Sequence, residues 1–142
     1  MFKKFLYRVD EVDFVSYFLS LAFISAGLSK ILNFDFFRLE LVSMSKLFEF
    51  FALLVIVSEV WIGVGLIFRG SRMVSMFFGL IMLFHFTVFV LYRYITGSSS
   101  GCGCGVFFIN WRTDLIHIVL NFILIILSFF VLINSNKRRE VK

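Results

Sequence analysis

Phe122-Ile123-Leu124-Ile125-Ile126-Leu127-Ser128-Phe129-Phe130-Val131-Leu132-Ile133 decides the class of this chain, because Ser128 is its only polar residue. A helix that faces water on one side needs polar residues recurring around that side, and this stretch has none to offer. A segment that is apolar all round belongs in a core or in lipid. Working outward, the apolar run extends from Leu115 to Ile133. Three more stretches have the same character: Phe14 to Leu32, Phe50 to Phe68 and Met73 to Tyr92. Each is close to the ~20 residues needed to cross the hydrocarbon core of a bilayer.

The chain has 142 residues, of which 61% are hydrophobic, with no proline and a mean hydropathy of +0.99. That composition leaves no room for a soluble catalytic domain. The expectation is an all-α polytopic membrane protein, a single antiparallel four-helix transmembrane bundle embedded in the lipid bilayer. An even number of spans puts both termini on one side.

Charge says which side. Lys3, Lys4, Arg8, Arg69, Arg72, Lys137, Arg138, Arg139 and Lys142 flank one face of this arrangement, against Lys30, Arg38, Lys46, Arg93 and Arg112 at the other. By the positive-inside rule the termini are cytoplasmic. The net charge of +5 is then explained by cytoplasmic flanks that meet anionic headgroups. No basic stripe points to nucleic acid. Met1 to Arg8 followed by an apolar run has some look of a signal peptide. Asp10, Glu11 and Asp13 break that pattern, the run is too long and no small-residue cleavage site follows, so the first span reads as retained.

Asn33 to Glu49 mixes Phe34, Phe36, Phe37, Leu39 and Leu41 with Asp35, Arg38, Glu40 and Lys46, which suits a segment lying along the outer interface. Arg69-Gly70-Ser71-Arg72 is a short turn that makes the second and third spans antiparallel neighbours. Gly97-Ser98-Ser99-Ser100-Gly101 reads as a flexible lead within the outer loop, residues 93–114.

Polar groups inside apolar spans are costly and need a partner or a purpose. Glu59 lies near the middle of the second span and His85 in the outer half of the third. His117 and Asn121 stand at i and i+4 on one face of the fourth. Lys30, near the outer end of the first span, is placed to snorkel to the interface or to reach down towards Glu59. All five are expected to converge on the outer half of the bundle. Simpler roles are open to each: Glu59 paired with Lys30 or His85, His85 as an interhelical hydrogen-bonding group, Asn121 as polar glue between helices. Ala22, Ser25, Ala26, Gly27, Ser29 and Gly63 read as close-packing surface.

The only two cysteines, Cys102 and Cys104, flank Gly103 in the outer loop, on the side where thiol pairs oxidise. Residues at i and i+2 in a bent conformation reach the ~4.4–6.8 Å Cα separation of a disulfide, and glycine supplies the backbone freedom for so small a ring. Such a ring constrains little chain, so a redox-active disulfide ranks above a structural staple. Zinc or copper held by the thiols with His117 and His85 is the rival, without a recognised ligand spacing behind it. An inert loop ranks last.

Ala26-Gly27-Leu28-Ser29-Lys30, Glu59-Val60-Trp61-Ile62-Gly63-Val64-Gly65-Leu66, Gly101-Cys102-Gly103-Cys104-Gly105, Trp111 and the His117 to Asn121 spacing, in that order, resemble the MauE/DoxX group of small four-helix membrane proteins. The resemblance runs from about Tyr17 onward. It departs at Gly105-Val106-Phe107, where many members carry phenylalanine and glycine directly after the second cysteine, which bears on subtype. The resemblance implies a thiol:disulfide electron carrier in the cytoplasmic (inner) membrane that supports disulfide formation or maturation of an extracytoplasmic thiol or disulfide protein, with DoxX-like relatives implying a link to quinone. Under it, Cys102, Cys104 and His117 are the catalytic candidates, Glu59 with His85 relays protons or organises a quinone pocket, and Asn121 and Lys30 join them as cofactor-binding candidates. The familiar membrane disulfide generators use two cysteine pairs and this chain has one. From a different class, a non-catalytic accessory or assembly subunit, or a metal-binding membrane protein, fits the same composition.

Overall fold

The computed structural model describes residues 11–44, 46–95 and 115–140. Those residues are helical apart from short connections: α1 (Glu11–Leu32), α2 (Phe34–Met44), a 3-10 turn (Lys46–Phe50), α3 (Phe51–Ile67), α4 (Arg72–Ile95) and α5 (Leu115–Glu140). Cys102, Cys104, Gly103, Trp111 and nearly all of the outer loop lie outside the described residues, as do the basic residues Lys3, Lys4 and Arg8.

Helix α1 carries Glu11 and Asp13 in its first turn and Lys30 in its last, each sign matched to the macrodipole end it occupies. Its exit is held locally. The Asn33 backbone N–H and side-chain amide both donate to the Ser29 carbonyl, at 3.1 and 3.0 Å, and the Asn33 carbonyl accepts the Phe37 N–H at 3.0 Å. These bonds satisfy carbonyls that a helix end leaves open and start α2 at once. At the other end of the molecule the Ser71 hydroxyl donates to the Gly65 carbonyl at 2.8 Å, and the Arg72 N–H donates to the Phe68 carbonyl at 3.0 Å. The chain thus reverses between α3 and α4 within the expected Arg69 to Arg72 turn.

Helices α1, α4 and α5 are long and apolar enough to cross a membrane, whereas α3 is a shorter apolar helix of 17 residues. That length is the lower end of the ~17–25 residues a spanning helix uses, so the four spans expected from the sequence are not of equal standing. Helix α1 packs on α3 and α5, and α4 packs on α3 and α5, while α2 rests against α1, α3 and the 3-10 turn.

The distribution of side chains is the reverse of a water-soluble domain. Phe14, Leu54, Trp61, Phe84 and Ile126 are exposed, while Ser16, Ser20, Ser29, Lys30, Glu59 and Asn121 are buried. Hydrocarbon outside and polar groups between helices is the arrangement lipid favours. Small residues let α1 and α3 approach closely. A Cβ on Gly63 would stand 2.6 Å from Ile24 Cγ1 and 3.0 Å from the Ser20 carbonyl, and one on Gly27 would stand 2.9 Å from Val60 Cγ2. The Ser20 hydroxyl crosses that seam to the Gly63 carbonyl at 2.6 Å. Leu19, Phe23, Ile62, Leu66, Met76, Leu83 and Val131 fill the core beside it. A second apolar cluster, Phe37, Ala52 and Ile56, sits under α2.

Candidate functional site

Close packing of α1 on α3 brings the last turn of one helix against the middle of the other. Lys30 Nζ donates to Glu59 Oε1 at 2.6 Å, with both side chains almost wholly buried. The ammonium also lies 4.7 Å from the centre of the Phe86 ring and 5.6 Å from that of Phe37. Two ring faces and a carboxylate replace the water that a lysine loses on burial, since the π faces attract a cation. Lys30 therefore reaches down to Glu59 instead of snorkelling outward.

Helix α5 completes the site. His117 and Asn121, one turn apart, are both buried and line a cavity of about 50 Å³ together with Lys30, Glu59, Ala26, Leu83, Phe86 and Val90. Glu59 Oε2 has no hydrogen-bond partner among the described residues. The sequence expectation that polar groups converge is met by Lys30, Glu59, His117 and Asn121.

His85 does not join them. It is exposed, and its Nδ1 lies 2.8 Å from the carbonyl of Ile81 on its own helix. The reason is rotational. Leu83, Phe86 and Val90 form the stripe of α4 that faces the cavity, and a neighbour in sequence is turned by roughly 100° about a helix of 3.6 residues per turn. A pairing of His85 with Glu59 is thus replaced by the Lys30 pairing. The aromatic partners Phe37 and Phe86 escaped the sequence reading, although the 83, 86, 90 spacing on α4 was the signal that could have found Phe86.

A second ionic cluster went unread as a unit. Asp13, buried in the first turn of α1, accepts from Arg72 at 2.7 Å and from Arg69. Arg72 Nε also lies 3.3 Å from the Leu66 carbonyl. This cluster ties the start of α1 to the α3–α4 turn, at the far end of the molecule from Lys30. The exposed pair Arg38 and Glu49 links α2 to the 3-10 turn. Among the described residues no group of three or more His, Cys, Asp or Glu side chains is placed to hold a metal ion. The thiol part of the candidate metal set, Cys102 and Cys104, lies outside them.

The cavity bears on a quinone as well. Organic ligands and cofactors occupy pockets of ~300–1,000 Å³, against about 50 Å³ here.

Comparison with known proteins gives one relationship. A family model described as Methylamine utilisation protein MauE matches residues 5–134. No curated protein and no solved structure matches.

Proposed function

The chain belongs to the MauE family and is a multi-pass membrane protein, and we propose that it is a thiol:disulfide electron carrier using Cys102 and Cys104. One observation carries this reading. Lys30, Glu59, His117 and Asn121 gather round one cavity at the end of the molecule where α4 stops at Ile95 and α5 begins at Leu115, so the sequence joining those two ends carries both thiols. Helices α1, α3, α4 and α5 form an antiparallel four-helix transmembrane bundle in this reading. The Asp13–Arg72 end faces the cytoplasm with both termini, and the Lys30 end faces outward, in keeping with the distribution of basic residues.

The chemistry is exchange. A thiolate of an extracytoplasmic protein attacks the Cys102–Cys104 disulfide and forms a mixed disulfide, releasing one loop thiolate. A second thiolate of that protein then resolves it. One sulfur–sulfur bond breaks as another forms, and two electrons and two protons pass between the loop and its partner. His117, three residues into α5, is the nearest described imidazole in sequence to the thiols, and it serves to stabilise a thiolate or take its proton. Lys30 and Glu59 supply further proton-handling groups behind it, and the Asn121 carboxamide supplies hydrogen bonds. The family description, methylamine utilisation, names the process in which we place that extracytoplasmic partner.

Redox titration of the purified full chain in detergent, with thiols counted at each potential, tests the assignment. A single two-electron transition that disappears in Cys102→Ser and in Cys104→Ser is the expected result. Absence of any disulfide in the native protein, with a double serine variant that still supports its partner, would assign the chain as an accessory subunit instead.

A further inference from the structure

We infer that the cavity between Lys30, Glu59, His117 and Asn121 is a water site, and that the water held there completes the hydrogen bonding of the buried ion pair and gives it a route for proton exchange.

The argument begins with the donor and acceptor count. Glu59 is 3% exposed and its Oε2 has no partner among the described residues. A carboxylate oxygen left unpaired in a low-dielectric interior carries the full loss of its hydration, so this oxygen calls for a donor. Lys30 Nζ carries three N–H donors, and one is directed to Glu59 Oε1. Its remaining donors meet ring faces, which are weaker partners than an oxygen. The Asn121 carboxamide, 9% exposed, brings both a donor and an acceptor to the same lining.

The occupant must therefore donate to Glu59 and accept from Lys30. A metal cation cannot donate and is repelled by the ammonium. An anion is repelled by the carboxylate. About 50 Å³ is also well below the ~300–1,000 Å³ of pockets that hold organic ligands. A neutral, amphiprotic molecule of small size remains, and water is that molecule. About 50 Å³ exceeds the ~10–15 Å³ that one water needs, and a stable buried water makes two to four hydrogen bonds, which this lining offers.

The inference deepens the carrier reading in one respect, since the protons exchanged at the thiols then have an aqueous acceptor behind His117. The water site itself stands whether or not the loop is redox active.

Water-edited solid-state NMR of the isotopically labelled full chain in phospholipid bilayers reads it directly. Water magnetisation is expected at Glu59 Cδ and Asn121 Cγ at short mixing times, and not at Leu19 or Ser128, which are fully buried elsewhere in the bundle. Ala26→Leu, which adds volume to the lining without touching a polar group, should abolish the early transfer to Glu59. If that variant fails to fold, Leu124→Phe fills the same space from α5. Early transfer that persists in the Cys102→Ser/Cys104→Ser chain supports the water site independently of the carrier reading. Transfer to Glu59 and Asn121 as slow as to Leu19 in the unmodified chain overturns it, as do cross-peaks from a lipid or other organic molecule at those positions.

Discussion

Lys30 Nζ and Glu59 Oε1, 2.6 Å apart and almost fully buried, join the end of α1 to the middle of α3 in the interior of the helix assembly. Buried ion pairs of this kind offset their desolvation only when both partners are present. Glu59→Leu or Lys30→Met alone should each destabilise the protein by about 3–5 kcal/mol, because each strands a charge. The double variant should recover much of that loss, and Glu59→Gln should lose less than Glu59→Leu. Thermal unfolding in detergent measures all four, and a double variant no more stable than the singles would show that the pair is not coupled.

The seam between α1 and α3 depends on a missing side chain. Gly63→Ala puts a methyl group 2.6 Å from Ile24 Cγ1 and 3.0 Å from a backbone carbonyl, which should cost about 1–3 kcal/mol as overpacking. Gly70→Ala meets nothing within 4 Å and serves as the control. Equal melting temperatures for the two variants would remove the close-approach argument.

Asp13 has two arginine partners of unequal standing. The Arg69 side chain is 58% exposed and that of Arg72 is 5% exposed, so water screens the first pair and not the second. Arg69→Ala should cost about 1 kcal/mol or less, and Arg72→Ala distinctly more, since it leaves a buried carboxylate with only its solvent-facing partner. The reverse order in a stability series would contradict the burial assigned to Arg72.

The two histidines separate in the same way. His85→Phe should leave thiol–disulfide exchange unchanged, because His85 faces away from the cavity. His117→Ala should slow attack of the reduced loop on a disulfide near neutral pH by raising the pKa of the loop thiol, without unfolding the bundle. Stopped-flow exchange with a small disulfide reads both, and sensitivity at His85 with none at His117 would reverse their roles.

Topology has its own test. A membrane-impermeant maleimide should label reduced Cys102 or Cys104 from outside intact cells, as the positive-inside rule requires. Labelling only after the inner face is opened would invert the chain and remove the oxidising surroundings that the redox reading needs.

Hydropathy is a property of a stretch of chain, and for that reason the helices were legible in the sequence. Phe14 to Leu32, Phe50 to Phe68 and Met73 to Tyr92 fall within a few residues of α1, α3 and α4, and Leu115 to Ile133 shares its start with α5, which runs on to Glu140. The turn at Arg69 to Arg72 was equally plain, since charge and glycine interrupt two apolar runs there. Charged and amide groups inside apolar stretches are conspicuous as composition, which is how Lys30, Glu59, His117 and Asn121 were identified as candidates. Their partners were not legible. Whether Glu59 meets Lys30 or His85 depends on how α4 is rotated about its axis, and one residue of offset turns a side chain by roughly 100°. Asp13 and Arg72, 59 residues apart, meet only because α1 docks beside the α3–α4 turn. That docking follows from the fit of Gly27 and Gly63 across the α1–α3 seam. Pairing between helices is a three-dimensional packing decision, and no local pattern along the chain encodes it.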